Sequence, residues 1–253
     1  MNRAAGQSFR HDPRAAMLDL DDPPPGFVDD PFPVYARLRE EAPVCRQPDG
    51  SYLLSRHADL DRVYRDTARF SSDKALVFGP KFGVGTPLYR HHTTSLVFND
   101  PPLHTRVRQV MVGALSPRAL ARLEPGLTAL VDDLADGLVG TGEPDLIEGF
   151  AGAIPVEVIG NLLAIPRDLR GDLRDWSLAI LGALEPRPSE AVLAAGHGAV
   201  EAFSALLGDI IAARRRAPGD PDTDVLTRLL AADGGAALTG EELVQNCICL
   251  LYT

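Results

Sequence analysis

The chain has 253 residues, of which 45 % are hydrophobic and 24 % charged, an ordinary globular composition that argues against disorder throughout. Its formal net charge of −10 repels phosphate backbones, so we expect no nucleic-acid partner. No apolar run approaches the roughly 20 residues of a membrane helix. The polar N-terminus also lacks the apolar stretch of a signal peptide. We therefore predict a cytoplasmic protein with no membrane partner.

The N-terminal part contains the clearest strand signal of the chain. Residues 1–26 are polar, end in a run of Asp, Pro and Gly, and are predicted to be a flexible lead-in. Asp-Pro-Phe-Pro at 30–33 favours the start of a helix that ends before Pro43. A Pro-Asp-Gly turn between two short apolar runs predicts a β-hairpin over 44–54, and apolar spacing predicts a short helix over 57–65.

Residues 71–96 differ from the rest of the chain. They combine several Gly and Pro residues, which oppose regular structure, with aromatic and aliphatic residues that favour burial. The segment is predicted to be a long apolar loop. Such a loop either lines a binding site or folds over a small core of its own, and the residues leave both interpretations open.

From residue 99 onward the apolar periodicity is helical. The predicted helices are 99–115, 117–138, 154–163, 167–184, 189–216, 222–232 and 239–253. Thr239 followed three residues later by Glu242 is typical of a capping box. The residues alone thus predict a mainly α fold with a small N-terminal β-hairpin.

The three cysteines do not form a disulfide framework. Their odd and sparse spacing predicts free thiols in a reducing compartment. Cys247 and Cys249 are interpreted as small apolar residues of a buried helix rather than metal ligands. His91 and His92 are adjacent, so their side chains diverge, and no third ligand is placed beside them.

The most informative stretch runs from Asp100 to Arg108. Asp-Pro-Pro fixes a helix start, which places His104 and Arg108 four residues apart on one helical face. Both side chains can donate to the same anion, and the apolar Val107 and Met111 lie beside them. A cofactor with an apolar body and two carboxylates would match this face. The alternative is a solvated pair that meets local acidic residues.

This stretch resembles the segment that opens helix C of bacterial cytochromes P450, which typically reads D-P-P-x-H-x-x-x-R. Shorter motifs that resemble the same family follow in the same order over roughly residues 27–251. They lie at 30–39 (helix A), 52–59, 69–72 (Arg-Phe-Ser-Ser), 116–118 (Ser-Pro-Arg), 154–166 (helix E) and 239–248 (the start of helix I).

The resemblance implies that residues 27–253 are the N-terminal part of a single cytochrome P450 domain. It implies heme b, with His104 and Arg108 holding the propionates, and residues 71–98 covering a substrate pocket in which Leu96 and Val97 lie nearest the haem. The implied reaction is a monooxygenation, in which O2 oxidises an apolar small molecule. A ferredoxin or flavodoxin-type donor would supply the electrons.

The sequence departs from the family after Leu251. The A-G-x-(D/E)-T motif, the E-x-x-R pair and the cysteine loop do not appear, so we expect neither a catalytic residue nor the iron ligand in this chain. We expect the fragment alone to be inactive and poorly stable. The alternative is a non-enzymatic helical ligand-binding or interaction protein that kept a P450 front half. The negative charge disfavours a helical regulator that binds nucleic acid.

Overall fold

The computed structural model describes residues 18–19, 22–47, 49–115, 121, 124–139, 142–221, 224–231 and 238–252. The chain divides into two compact units, with the boundary after Ser71. Some sequence predictions lie outside the described residues, namely most of the lead-in, Pro48 of the hairpin turn and the Ser116–Arg118 motif. The assignment of 27–253 to one domain stays a prediction.

The first unit contains two helices and a hairpin. Helix α1 spans Phe32–Glu41, strands β1 and β2 span Val44–Arg46 and Tyr52–Leu54, and α2 spans His57–Arg65. The strands pair antiparallel with Val44 opposite Leu54, which confirms the predicted hairpin. Leu18, Leu38 and Cys45 form the small core of this unit.

The second unit contains helices and no strand among its described residues. Its α-helices are α3 (Ala75–Phe82), α4 (Pro87–Thr94), α5 (Leu103–Ala114), α6 (Glu124–Leu138), α7 (Ala153–Leu162), α8 (Leu173–Gly182), α9 (Glu190–Arg216), α10 (Val225–Leu230) and α11 (Gly240–Tyr252). Short 3-10 turns cover Leu96–Phe98 and Arg167–Leu169, and a π-helical turn covers Ile147–Ala151. The predicted fold class, mainly α with a small N-terminal β-hairpin, is confirmed.

The prediction of a long loop over 71–96 is wrong. The segment forms α3, α4 and a 3-10 turn, because Gly83 and Gly85 separate the two helices while Gly79 and Pro80 are accommodated within α3. Gly83 and Gly85 adopt φ values of +85° and +81°, which residues with a side chain rarely adopt. Thr86 then caps α4 by accepting a hydrogen bond from the backbone N–H of Tyr89, and Pro87 occupies the first helical turn.

Helix α9 is the centre of the second core. It packs against α8, α4 and α11, and its Phe203 and Leu207 are fully buried. Among the described residues α9 is also the one helix long and apolar enough to cross a membrane by length and composition. A core helix passes the same test, and six residues of α9 are buried within the fold.

Candidate functional site

Helix α5 carries the two predicted propionate ligands. The turn before it is held by Asp100, whose Oδ1 accepts a hydrogen bond of 2.8 Å from the backbone N–H of Ser72. His104 is half-buried and Arg108 is exposed, one helical turn apart. Val107 and Met111 of the same helix point into the core and are buried. Helix α5 therefore presents hydrogen-bond donors beside an apolar surface.

An apolar cleft of about 220 Å³ opens between α5, the 3-10 turn and α11. It is lined by Leu96, Arg108, Met111, Val112, Leu115, Asn246, Cys249 and Leu250. The structure thus brings Leu96 and Arg108 to one cleft. His104 and Val97 are not among its lining residues, and Val97 has 44 % of its surface exposed.

A partly buried ion pair joins α5 to the start of α11. The Arg106 guanidinium donates to both carboxylate oxygens of Glu242, at 3.0 Å to Oε2 and at shorter range to Oε1. Glu242 also accepts from the backbone N–H of Thr239 at 2.8 Å, and Thr239 Oγ1 accepts from the backbone N–H of Glu242 at 3.1 Å. The predicted capping box is confirmed, and the hydrogen bonds from Arg106 hold the pKa of Glu242 below its usual value.

We expect Glu242→Gln to lower the free energy of unfolding by about 2 kcal/mol at neutral pH, since charged hydrogen bonds in a partly buried site are lost. Because the folded-state pKa of Glu242 is lowered, its contribution is present above the unfolded pKa and is lost as the pH falls below it. Urea unfolding measures the change. Asp61→Asn is the control, because Asp61 pairs with Arg65 at an exposed position and should change little.

A chain of buried and half-buried polar groups joins α4, α11 and α9. His91 is fully buried on α4, and its Nδ1 lies 2.8 Å from Gln245 Oε1 while its Nε2 lies 2.5 Å from the Tyr252 hydroxyl. Since Gln245 Oε1 only accepts, Nδ1 carries the proton and Nε2 accepts from Tyr252. Gln245 Nε2 in turn approaches Ser204 Oγ at 3.5 Å. Sequence reasoning missed this arrangement because its partners are more than 100 residues away.

The cysteines of α11 are buried thiols, as predicted. Burial raises the pKa of the Cys247 thiol to about 12, which keeps it protonated at neutral pH. Cys249 is buried too and lines the cleft. Among the described residues no group of three or more His, Cys, Asp or Glu side chains is placed to hold a metal ion.

No family model matches the chain. It is 33 % identical over 230 residues to the vitamin D(3) 25-hydroxylase of Pseudonocardia autotrophica, covering 89 % of this chain and 54 % of that protein. It is also 33 % identical over 248 residues to cytochrome P450 107B1 of Saccharopolyspora erythraea, covering 93 % and 57 %. The chain is related to the bacterial cytochromes P450. The crystal structure of P450BioI with an acyl-ligated acyl carrier protein superposes with a TM-score of 0.78 at 25 % identity, over 89 % of this chain and 58 % of that one.

The chain spans about half the length of the cytochrome P450 relatives it matches. Its helical fold with a small hairpin is shared with P450 structures over that part. The cytochrome P450 family implies haem, and the residues that line the cleft have the chemistry to contact one edge of it. Arg108 at the rim suits a carboxylate and Leu96, Met111 and Leu250 suit an apolar ring.

Proposed function

We propose that the chain is the N-terminal part of a haem-thiolate monooxygenase that oxidises an apolar small molecule with O2. The observation that carries the proposal is the cleft of α5 and α11, which joins an exposed guanidinium to an apolar wall. The sequence relatives add to it, because they include proteins named as hydroxylases.

In this proposal His104 and Arg108 hold the propionates of heme b. Their one-turn spacing lets both donate toward one edge of the cofactor. Leu96 and Met111 would contact the ring, and Leu96 with Val97 would lie in the substrate pocket, nearest the haem. Bound haem with a thiolate ligand supplies the activation of O2. Cys247 and Cys249 lie in α11 without the glycine-rich context of the family's cysteine loop, so the proposal assigns the thiolate to another segment.

The partners follow the same proposal. We infer an electron donor of the ferredoxin or flavodoxin type and a cytoplasmic location, with no membrane or nucleic-acid partner. An apolar substrate is supported by the relatives, which include a protein named for vitamin D(3) and one solved with a fatty acyl group. The net charge of −10 further disfavours nucleic acid.

The test begins with the DNA beyond codon 253. We expect an open frame that encodes the cysteine loop, and a protein whose reduced form with carbon monoxide shows the red-shifted absorption of a thiolate-ligated haem. A stop codon directly after Thr253, together with a chain that binds no hemin, would contradict the proposal. Binding of an apolar ligand by such a chain would favour the non-enzymatic alternative.

In the protein expressed from that frame, Arg108→Ala should weaken haem binding by about tenfold or more, since a charge-assisted hydrogen bond to a propionate is removed. Haem content per polypeptide and hemin titration measure the effect. Arg215→Ala removes an equally exposed cation at the end of α9 and should leave the haem content unchanged. Equal haem content in both variants would refute the assignment of Arg108.

A further inference from the structure

A second cleft, with charged walls, opens between α7 and the segment that leads into α8. It has a volume of about 290 Å³, near the lower end of the range of roughly 300 to 1,000 Å³ that small-molecule sites occupy. Its charged lining residues are Glu148, Glu157, Arg167, Arg170 and Arg174. It shares no lining residue with the cleft of α5 and α11, so the two are separate sites.

This second cleft has an excess of positive charge, although the whole chain has a net charge of −10. Three guanidinium groups line it against two carboxylates. The arginines are spaced three and four residues apart, and the acidic Asp168 and Asp172 between them are not among the lining residues. The folded segment thus gathers its cations on the side of the cleft, where they attract an anion.

The hydrogen bonds of the three arginines decide which of them can bind a ligand. Arg170 directs its five N–H groups at the carboxylate and carbonyl of Glu157, the Asn161 side chain and the Ile165 carbonyl. Arg174 uses two of its N–H groups on Glu148, at 2.5 and 2.9 Å.

Arg167 is committed least of the three. Its Nε lies 3.7 Å from Glu157 Oε2, beyond hydrogen-bond distance, and 73 % of its side chain is exposed. Within the described part of the chain, donors for a further acceptor therefore remain on Arg167 and Arg174, whereas Arg170 contributes its charge and holds Glu157 in place.

The uncharged lining residues leave room for an apolar group. Ala153 and Val156 of α7 supply apolar surface. A Cβ at Gly152 would lie 3.3 Å from Arg174 Nε, so the missing side chain lets the guanidinium lie close to the backbone. A Cβ at Gly171 would meet no atom within 4 Å, which shows that the cleft is open there. An anion with a small apolar body fits this lining.

We propose that this second cleft binds the carboxylate of a small organic acid. The planar fork of a guanidinium matches a carboxylate, and the two-point contact of Arg174 with Glu148 shows this pairing at the site itself. One carboxylate balances the single positive charge in excess, and the apolar lining contacts the body of the acid. The inference concerns a site apart from the proposed haem and substrate, so it does not rest on the proposed function.

Fluorine NMR of para-fluorobenzoate with this chain, at fixed ionic strength, tests the proposal. The dissociation constant should rise about tenfold in Arg167→Gln and in Arg174→Gln, since each variant loses a charge-assisted hydrogen bond to the acid. Arg215→Gln is the matched control, because it removes an exposed cation at the end of α9 and should leave the dissociation constant unchanged. The uncharged para-fluorobenzamide has nearly the same shape and should bind at least about tenfold more weakly than the acid.

Three results would overturn the proposal. The first is an equal dissociation constant for the acid in the unmodified chain and in both cleft variants. The second is equal binding of the acid and the amide. The third is binding that Arg108→Gln abolishes and the cleft variants leave intact, which would place the acid in the cleft of α5 and α11. Far-UV circular dichroism checks that the variants are folded, and no measurement needs haem, so failure of the monooxygenase proposal would leave these outcomes unchanged.

Discussion

The free energy of unfolding is expected to fall steeply as the pH drops from about 6.5 toward 4, because two buried histidines are neutral in the folded state. Burial lowers the pKa of His91 to about 4 and that of His92 to about 3, against 6.5 when unfolded. The unfolded chain therefore binds protons that the folded chain does not bind. The free energy of unfolding has its full value above about pH 6.5 and falls as the pH drops toward the folded-state pKa values. The protonation of His91 alone lowers the free energy of unfolding by about 3 kcal/mol over this pH range.

Urea unfolding between pH 4.5 and 8 measures this dependence. Near pH 5 its slope should correspond to about two protons taken up on unfolding, one for each histidine. Acidic groups titrate in the same range, so the informative quantity is the difference between variants. His91→Leu and His92→Leu should each remove about one proton from the slope. The variant His57→Gln, at an exposed position, is measured alongside as the reference for removing one imidazole from the surface. Unaltered slopes in both leucine variants would contradict the assignment.

Replacing Arg170 by Met should lower the free energy of unfolding by about 3 to 5 kcal/mol, the usual effect of removing one partner of a buried ion pair. Arg170 is only 7 % exposed. Its guanidinium donates to Glu157 Oε2 at 2.7 Å, to Asn161 Oδ1 at 2.9 Å and to the Ile165 carbonyl at 2.7 and 2.9 Å. It therefore ties the end of α7 to the turn that leads into α8.

Arg167→Met is the matched control for that variant. Arg167 approaches the same Glu157 carboxylate, but at 3.7 Å and with 73 % of its side chain exposed. A pair of that kind contributes at most about 1 kcal/mol. Urea unfolding at pH 7 compares the two variants. If both lower the free energy of unfolding equally, the burial of Arg170 does not strengthen its contribution to stability. Gly160 supports the arrangement, since a Cβ there would lie 2.5 Å from Arg170 Nε.

The local signals in the sequence determined most of the elements. The Pro-Asp-Gly turn predicts the hairpin, and Thr239 with Glu242 predicts the start of α11, because both signals act within four residues. The long periodic segment over 189–216 predicts α9 to within a residue. The wrong loop over 71–96 has a local cause too. Glycine and proline were interpreted as breaking a whole segment, whereas Gly83 and Gly85 separate two short helices and Gly79 and Pro80 lie within the first of them.

The candidate site was only half determined by the sequence. His104 and Arg108 share a face because helical spacing alone puts them there. That Arg106 meets Glu242, and that His91 meets Gln245 and Tyr252, was decided by tertiary packing over separations of 136 to 161 residues. Whether a buried histidine finds a partner depends on such distant contacts. The sequence therefore presents His91 and His92 as equivalent neighbours, and only the tertiary structure gives His91 two hydrogen-bond partners and His92 none among the described residues.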